Sequence, residues 1–392
     1  MRKFVRLISL VALAFISLSP IRGAAQEVEL QTGFHIDWWT NSDDLSGKQV
    51  YAPVMLGVRY DDFAFRVLTG EAYTSATRTD VFNESLSHWL DTKVNFSYEI
   101  AGKLPVDILI GLDFNLPTGK TDLTTGQNAL VLDPDLVSIT RFGEGFNVNP
   151  TIIFSKQWGE KLVTGIGFGY NFRGEYDFNT LAQDYDPGDV FSVVPEIRYN
   201  FAPEWIARLF LNYTTFDRAE WRNPQLTEND LYQQGDFYML GLGLNYQQAR
   251  WAAGATFKAM ALRDDETSIW RKDHMDFSDN GLSPEGQDYV LELALKYLLT
   301  DKVTIKSVLH FEYIDEWPLD CNRYIYADRF FFIGDREVYS LELGLGLKIT
   351  DRVEAELGVK GFAIVGAKSS ISPFDKSDFT GIATDFRIVG LF

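Results

Sequence analysis

The sequence contains four histidines that are suited to acid–base chemistry near neutral pH, namely His35, His88, His274 and His310. His35 and Asp37 are two residues apart, so on a β-strand they would share one face. There they could orient a catalytic base, or they could form an ordinary hydrogen bond. We favour the hydrogen bond, because no serine motif accompanies the pair, and we predict no catalytic residue.

Clustered carboxylates at Asp184, Asp186 and Asp189 offer a weak calcium site. The segment lacks the spacing and the closing glutamate of an EF-hand, so a solvated acidic loop is the favoured interpretation. The single cysteine, Cys321, excludes an intramolecular disulfide, a C-x-x-C-H haem attachment and a cysteine-based zinc site. We therefore predict no metal and no cofactor.

The first 25 residues are typical of a secretory signal peptide. A basic start is followed by an apolar stretch at 7–18 and by small residues at 23–25, which predicts cleavage after Ala25 and a mature chain of residues 26–392. The segment contains four basic residues and no acid, so its removal lowers the formal net charge from −19 to −23. So large a negative net charge argues against nucleic acid as a partner.

Apolar and polar residues alternate with a period of two along most of the chain. In 106–116, for example, Ile108, Ile110 and Leu112 alternate with Asp107 and Asp113. An antiparallel sandwich could alternate too, but segments of about ten residues fit a membrane-crossing strand better. The same pattern recurs at 27–39, 92–100, 161–173, 288–297, 303–313 and 339–348.

Connections between these segments alternate between short and long, as in barrels with short periplasmic turns and long extracellular loops. We predict an all-β fold, a single transmembrane antiparallel β-barrel of about 16 strands, with 14 or 18 as alternatives and both termini in the periplasm. The short turns are near 61–62, 102–103, 159–160, 202–203, 247–248, 300–301 and 350–351. The long loops are near 40–48, 74–86, 117–145, 174–189, 217–235, 263–286, 315–336 and 367–377.

The last strand ends on Phe392, which resembles the assembly signal of bacterial outer-membrane barrels. Together with the export signal it predicts an integral protein of a Gram-negative outer membrane, with the barrel assembly machinery and outer-membrane lipid as partners. The mature chain enters its first strand within about two residues, so we expect no N-terminal plug. The longest loop, 117–145, is the best candidate for a segment that folds inward and narrows the barrel.

The face opposite the apolar one contains ionisable groups of both signs, which need water or partners. They could form an aqueous path that biases solute choice, or a network that only stiffens the wall. The predicted lumen-lining residues are Glu29, His35, Asp37, Arg59, Arg66, Asp91, Lys93, Asp113, Arg173, Glu196, Arg198, Arg208, Lys258, Glu292, Lys306, His310, Glu312, Glu342, Lys348, Glu354, Glu356, Lys360, Asp385 and Arg387.

One stretch resembles a known family. The order of its segments resembles the outer-membrane proteins of the meta-pathway of phenol degradation. The segments are the strand end Gly111-Leu112-Asp113-Phe114-Asn115-Leu116-Pro117-Thr118-Gly119, a long loop, the strand from Asn149 to Lys156 and the strand ending at Phe172. The likeness covers roughly 100–250, with a distant similarity to the long-chain fatty-acid transporters. It implies a channel for hydrophobic or aromatic small molecules.

Three functions stay open at this stage. The first is a passive channel for small solutes, hydrophobic or aromatic if the resemblance holds. The second is a barrel scaffold that sheathes a separate multihaem cytochrome in an electron-transfer complex, because the chain itself has no haem motif. The weakest is an enzyme at the barrel rim that would use His35 or His310.

Overall fold

The computed structural model describes residues 27–41, 44–78, 82–132, 134–180, 182–222, 229–233, 235–262, 266–268, 278–279, 287–315, 335–366 and 378–392. The predicted signal peptide, His274, Cys321 and the predicted loop 367–377 lie outside these residues. The elements are β1 (Glu27–Asn41), β2 (Leu45–Tyr60), β3 (Phe63–Arg78), β4 (Phe82–Trp89), β5 (Thr92–Ile100), β6 (Asp107–Leu116), α1 (Thr125–Asn128), β7 (Asn147–Trp158), β8 (Leu162–Arg173), β9 (Gln183–Asp186), β10 (Val190–Ala202), β11 (Trp205–Phe216), β12 (Ala219–Arg222), β13 (Asn229–Gln233), β14 (Phe237–Gln247), β15 (Trp251–Leu262), β16 (Glu266–Ser268), β17 (Ser278–Asp279), β18 (Gln287–Thr300), β19 (Val303–Ile314), β20 (Arg336–Thr350), β21 (Val353–Gly366) and β22 (Phe379–Leu391).

Most strands form one antiparallel sheet that closes on itself, because β1 pairs with both β2 and β22. β4 and β5 pair with successive parts of β3 and so occupy one position between them. The 17 strands of this sheet therefore form a closed barrel of 16 positions, which confirms the predicted fold. No helix in the described part of the chain could span a membrane.

The two faces of the barrel differ sharply in chemistry. Leu341, Leu343 and Leu345 of β20 are 49%, 57% and 48% exposed on the outer face, and the alternate residues of the same strand point inward. An apolar band of this kind is stable only against lipid. The strand register is continuous around the ring, so one face of every barrel strand is the inner face.

Exposed aromatic side chains border the apolar band at both rims. Tyr60, Trp158 and Trp251 lie on the outer face beside the short turns, and Trp38 and Tyr339 lie near the opposite ends of their strands. Such rings favour the boundary between lipid and water. Both ends of the barrel chain lie at the short-turn rim, where the N–H of Val28 donates to Phe392 and the N–H of Phe392 donates back, at 2.9 and 2.8 Å.

The long-loop rim departs from the sequence prediction in two places. The predicted loop 40–48 is mostly strand, because β1 runs to Asn41 and β2 starts at Leu45. The predicted loop 74–86 is likewise strand up to Arg78 and again from Phe82. These hairpins rise above the lipid-facing band, where neither face needs to be apolar, so the alternation that marks a strand is lost there.

Parts of three other predicted loops form a second, smaller sheet above the barrel. β9, β12, β13, β16 and β17 pair with one another in antiparallel fashion. A small apolar core of Phe178, Tyr185 and Trp221 supports this outer sheet. The loops 174–189, 217–235 and 263–286 therefore contain structured β-strands rather than irregular chain alone.

Candidate functional site: an inward loop and two unlike inner walls

The longest connection, residues 117–132 and 134–146, folds back into the barrel, and we call it the inward loop. Its two arms meet near the wall, where the N–H of Lys120 donates to the carbonyl of Phe142 at 3.1 Å. The short helix α1 lies in the middle, and its N-terminus is capped reciprocally by Thr124 and Gln127. The loop is therefore a folded element with a defined base and tip.

Apolar residues at the tip anchor the inward loop. Leu130 is fully buried and Val137 is 3% exposed, in one cluster with Trp39 of β1 and with Phe362 and Ile364 of β21. These wall residues all lie on the inner face by strand register. Burial of each large aliphatic side chain contributes roughly 1.5–3 kcal/mol, so the docked position is strongly favoured.

An ion pair reaches the far side of the barrel. Asp135 of the loop lies 2.9 Å from Arg336 of β20, measured from Oδ2 to Nη2. Along the ring, β20 is separated from β6, where the loop starts, by the positions of β5, β3, β2, β1, β22 and β21. A connection between β6 and β7 can reach that strand only by crossing the lumen. The inward loop therefore spans the barrel near its long-loop rim.

Gln49 of β2 fixes the returning arm on the near side. Its side-chain amide accepts from the N–H of Ile139 at 2.7 Å and donates to the carbonyl of the same residue at 2.8 Å. The amide also donates to the hydroxyl of Thr74 at 3.0 Å, and Gln49 is fully buried. The side chain thus satisfies backbone groups of the loop as a neighbouring β-strand would.

His35 and Asp37 take part in the same docking. Nε2 of His35 lies 2.8 Å from Oδ1 of Asp37, and the second carboxylate oxygen accepts from the N–H of Ser138 at 3.2 Å. The other ring nitrogen of His35 faces Asp385 at 3.9 Å. The group that Ser138 offers to this pair is its backbone amide, not its hydroxyl. The arrangement orients the loop and is not that of an activated serine.

Asp91 ties both arms of the loop to the wall. It lies between β4 and β5, is 9% exposed, and accepts from the backbone N–H of Gly119 and of Glu144, each at 2.7 Å. It also accepts from the side-chain amide of Asn115 at 2.6 Å. Three donors around one buried carboxylate compensate for its lost hydration.

Below the loop, the inner face of β5 to β8 is rich in amide side chains, and we call it the amide wall. Cross-strand pairing places Lys93 opposite Asn115 and Asn115 opposite Asn147, with Asn95, Asp113 and Asn149 aligned one step lower. On β8 the inner positions beside these rows are Arg173 and Asn171, and the next inner positions, opposite Thr151, Ile153 and Ser155, are glycines. The asparagines of the amide wall are Asn95, Asn115, Asn147, Asn149 and Asn171.

Two cavities open between the amide wall and the inward loop. One, of about 280 Å³, lies under the arm 138–144, and the other, of about 300 Å³, lies against β5 to β8. Both are lined by Lys93 and Glu144, and the second is also lined by Arg66. Within the described chain, neither Arg66 nor Lys93 forms an ion pair.

Elsewhere the inner face has closely paired charges, and we call it the ion-paired wall. Glu196 of β10 binds Arg208 of β11 at 2.6 Å and also contacts Arg198. Glu356 of β21 lies between Lys306 and Arg387 and contacts both. The predicted cross-strand network is therefore present at these two carboxylates, whereas the amide wall satisfies its carboxylates with N–H donors.

Strand register places the other predicted lumen residues on the same inner face as these groups. His310 lies 3.2 Å from Glu312, between Nε2 and Oε2, and Lys348 contacts Asp351 at 3.0 Å. The residues assigned to the inner face by register are Glu29, Arg59, Arg66, Lys93, Asp113, Arg173, Lys258, Glu292, Glu342, Glu354, Lys360 and Asp385.

The carboxylates weighed as a calcium site are bound to different partners. Asp184 pairs with Arg222 at 2.8 Å, and Asp186 accepts from the N–H of Gly188 at 3.0 Å. Asp189 accepts from the hydroxyl of Tyr170 and from the backbone of Arg173. Among the described residues no three side chains are grouped to hold a metal ion.

The chain was compared with known protein families, curated proteins and solved structures. No family model and no curated protein matches it, so the family resemblance over 100–250 stays a prediction. Similar solved structures include a bacterial polysaccharide outer membrane secretin, with 8% identity, a TM-score of 0.45, and coverage of 93% of this chain and 98% of that one. OccK7 of Pseudomonas aeruginosa has 9% identity and a TM-score of 0.44 over 93% and 98% of the two chains. The toluene transporter TbuX of Ralstonia pickettii has 9% identity and a TM-score of 0.43 over 95% and 90%.

Proposed function

We propose that the chain is a passive outer-membrane channel for small polar solutes. The observation that carries this proposal is a closed barrel of 16 positions with an apolar outer face and an inner face of amide and charged groups. Barrels of this size are wide enough for an aqueous path. Polar groups on that face are compensated by water when no protein group pairs with them.

The inward loop would set the width of this channel. It closes part of the cross-section near the long-loop rim, and the cavities beside the amide wall continue beneath it. A folded constriction allows discrimination between solutes, because a solute must exchange part of its hydration for contacts with the wall. The barrel would then be a selective channel rather than an unrestricted pore.

The contacts of the inward loop also bear on the alternatives. A sheathed cytochrome would have to displace a loop that is bound to both sides of the lumen, so the docking favours a solute channel over a scaffold. The hydrophobic or aromatic solutes implied by the family resemblance suit an apolar path, whereas the amide wall favours polar ones. The geometry of His35 favours a structural role over a rim enzyme.

Single-channel recording in planar bilayers tests this function. The purified chain should give discrete conductance steps, and a variant in which residues 121–141 are replaced by a short glycine linker between Lys120 and Phe142 should conduct several-fold more current. The matched control removes 219–233, which pairs with β9 and β16 of the outer sheet, and should leave the conductance unchanged. No conductance in any of the three proteins would contradict a channel.

A further inference from the structure

The amide wall offers hydrogen bonds that the protein itself does not fully use. Asn95 donates to Asp113 at 2.6 Å and Asn115 donates to Asp91, but Asn149 and Asn171 form no hydrogen bond with another side chain in the described part of the chain. Each amide has donors and acceptors on one planar group. The partners that match them are solutes with several hydroxyl groups, because a hydroxyl also both donates and accepts.

Two cations border the same cavity. Arg66 lies next to Asn95 by register and Lys93 lies next to Asn115, and both side chains are exposed to the lumen. The carboxylates that line this cavity with them have other partners, since Asp113 accepts from Asn95 and Glu144 pairs with Arg141. The two cations therefore remain available for an anion.

The balance of charge limits what the anion can be. Arg66 and Lys93 are offset by Asp113 and Glu144 in the lining of the 300 Å³ cavity, so the cavity as a whole is close to neutral. A group with a single negative charge can bind the guanidinium or the ammonium in a charge-assisted hydrogen bond. A doubly charged group would meet repulsion from the nearby carboxylates.

We infer that the cavities between the amide wall and the inward loop are a binding site for a small hydroxylated carboxylate, with Arg66 and Lys93 binding the carboxylate and the asparagines binding the hydroxyl groups. This inference rests on the proposed channel function and names the solute class. The site lies on the path that the loop leaves open, so the channel binds solutes of this class more tightly than other solutes that pass through it. The cavity volume is at the lower end of the range for small-molecule sites, which fits a single sugar-acid unit.

Inhibition of ionic current by D-gluconate, compared with glucose, acetate and inorganic phosphate, tests the site. Gluconate should reduce the current of the native channel at a concentration about tenfold below that of the other three compounds, because it alone combines one negative charge with several hydroxyls. The double variant R66Q/K93Q should lose this advantage. The variant N149A/N171A should weaken inhibition by gluconate and glucose and leave acetate unaffected.

Lys258 provides the matched control. It is an inner-face cation without an ion pair in the described chain, and β15 lies across the ring from β3 and β5. The variant K258Q removes the same charge and should leave gluconate inhibition unchanged. An equal effect of K258Q and R66Q/K93Q, equal inhibition by all four compounds, or stronger inhibition by phosphate would overturn the inference.

Calorimetric titration of the detergent-purified barrel with gluconate separates this inference from the channel function. Binding that is lost in R66Q/K93Q supports the site even if the barrel passes no current. A conducting barrel that releases no heat with gluconate and shows no preferential inhibition refutes the site and leaves the channel standing.

Discussion

The amide wall and the ion-paired wall compensate their inner carboxylates in different ways. Each contains carboxylates that need compensation inside the barrel. On the ion-paired wall, Glu196 and Glu356 are each flanked by two cations. On the amide wall, Asp113 is bound by an N–H donor instead, and so is Asp91, which lies beside this wall just before β5. The cations beside Glu196 and Glu356 are thus bound to carboxylates, whereas Arg66 and Lys93 at the amide wall form no ion pair in the described part of the chain.

Glycines on the two walls show the same contrast in packing. The ring of Phe210 covers Gly241, where an added Cβ would lie 2.0 Å from a ring carbon. On β8, a Cβ added to Gly167 would have its nearest neighbour, in Ile153, at 3.4 Å. Glycine therefore makes room for an aromatic side chain at Gly241, whereas at Gly167 a methyl group would fit at ordinary contact distance.

Removing the carboxylate of Asp91 should have the largest effect on this comparison. The variant D91A leaves the N–H groups of Gly119 and Glu144 without their acceptor, and we expect the docked loop to lose roughly 4 kcal/mol. Limited trypsin digestion should then cut after Lys120 or Arg141, and single-channel records should become noisier. The native protein should resist cleavage at both sites.

The matched control for that experiment is D113A. Asp113 lies on the amide wall, and within the described residues it accepts from one side chain, Asn95, and from no backbone group of the loop. Its removal should leave the loop as resistant to trypsin as in the native protein. Equal cleavage of the two variants would show that the loop is not held by Asp91.

Most of the barrel can be predicted from local sequence. Alternation between inward and outward positions, as in Ile108 to Asp113, reports the environment of each residue directly, so strands and their inner faces are predictable. The errors at 40–48 and 74–86 arise where the hairpins extend beyond lipid and this signal disappears. The outer sheet was missed for the same reason.

The inward loop was predictable from its length, but its docking partners were not. Gln49 and Ile139 are separated by 90 residues, and Arg336 is further still from Asp135. A glutamine on an alternating strand gives no sign that it will bind a distant backbone. The sequence predicts the strand on which each asparagine of the amide wall lies, but their alignment depends on the register between strands.

Neutralising Glu356 should have a smaller effect, confined to the ion-paired wall. In E356Q, Lys306 and Arg387 lose their shared anion, and because all three groups are only partly buried we expect a loss of about 2 kcal/mol in stability. The measurement is the temperature at which the folded band disappears in semi-native electrophoresis. E292Q removes an inner carboxylate that has no ion pair in the described chain and should melt like the native barrel. An equal decrease in both would mean that the network does not stabilise the wall.

The smallest expected effect compares two glycine-to-alanine changes. In G241A the new methyl group displaces the ring of Phe210, and overpacking of this kind costs about 1 kcal/mol or somewhat more. In G167A the methyl group fits at ordinary contact distance from Ile153, so the melting temperature should stay the same or rise slightly. Thermal melts of the two variants, followed by circular dichroism, provide the measurement. A decrease in G167A as large as that in G241A would mean that the inner face of β8 at Gly167 is packed as tightly as the region around Phe210.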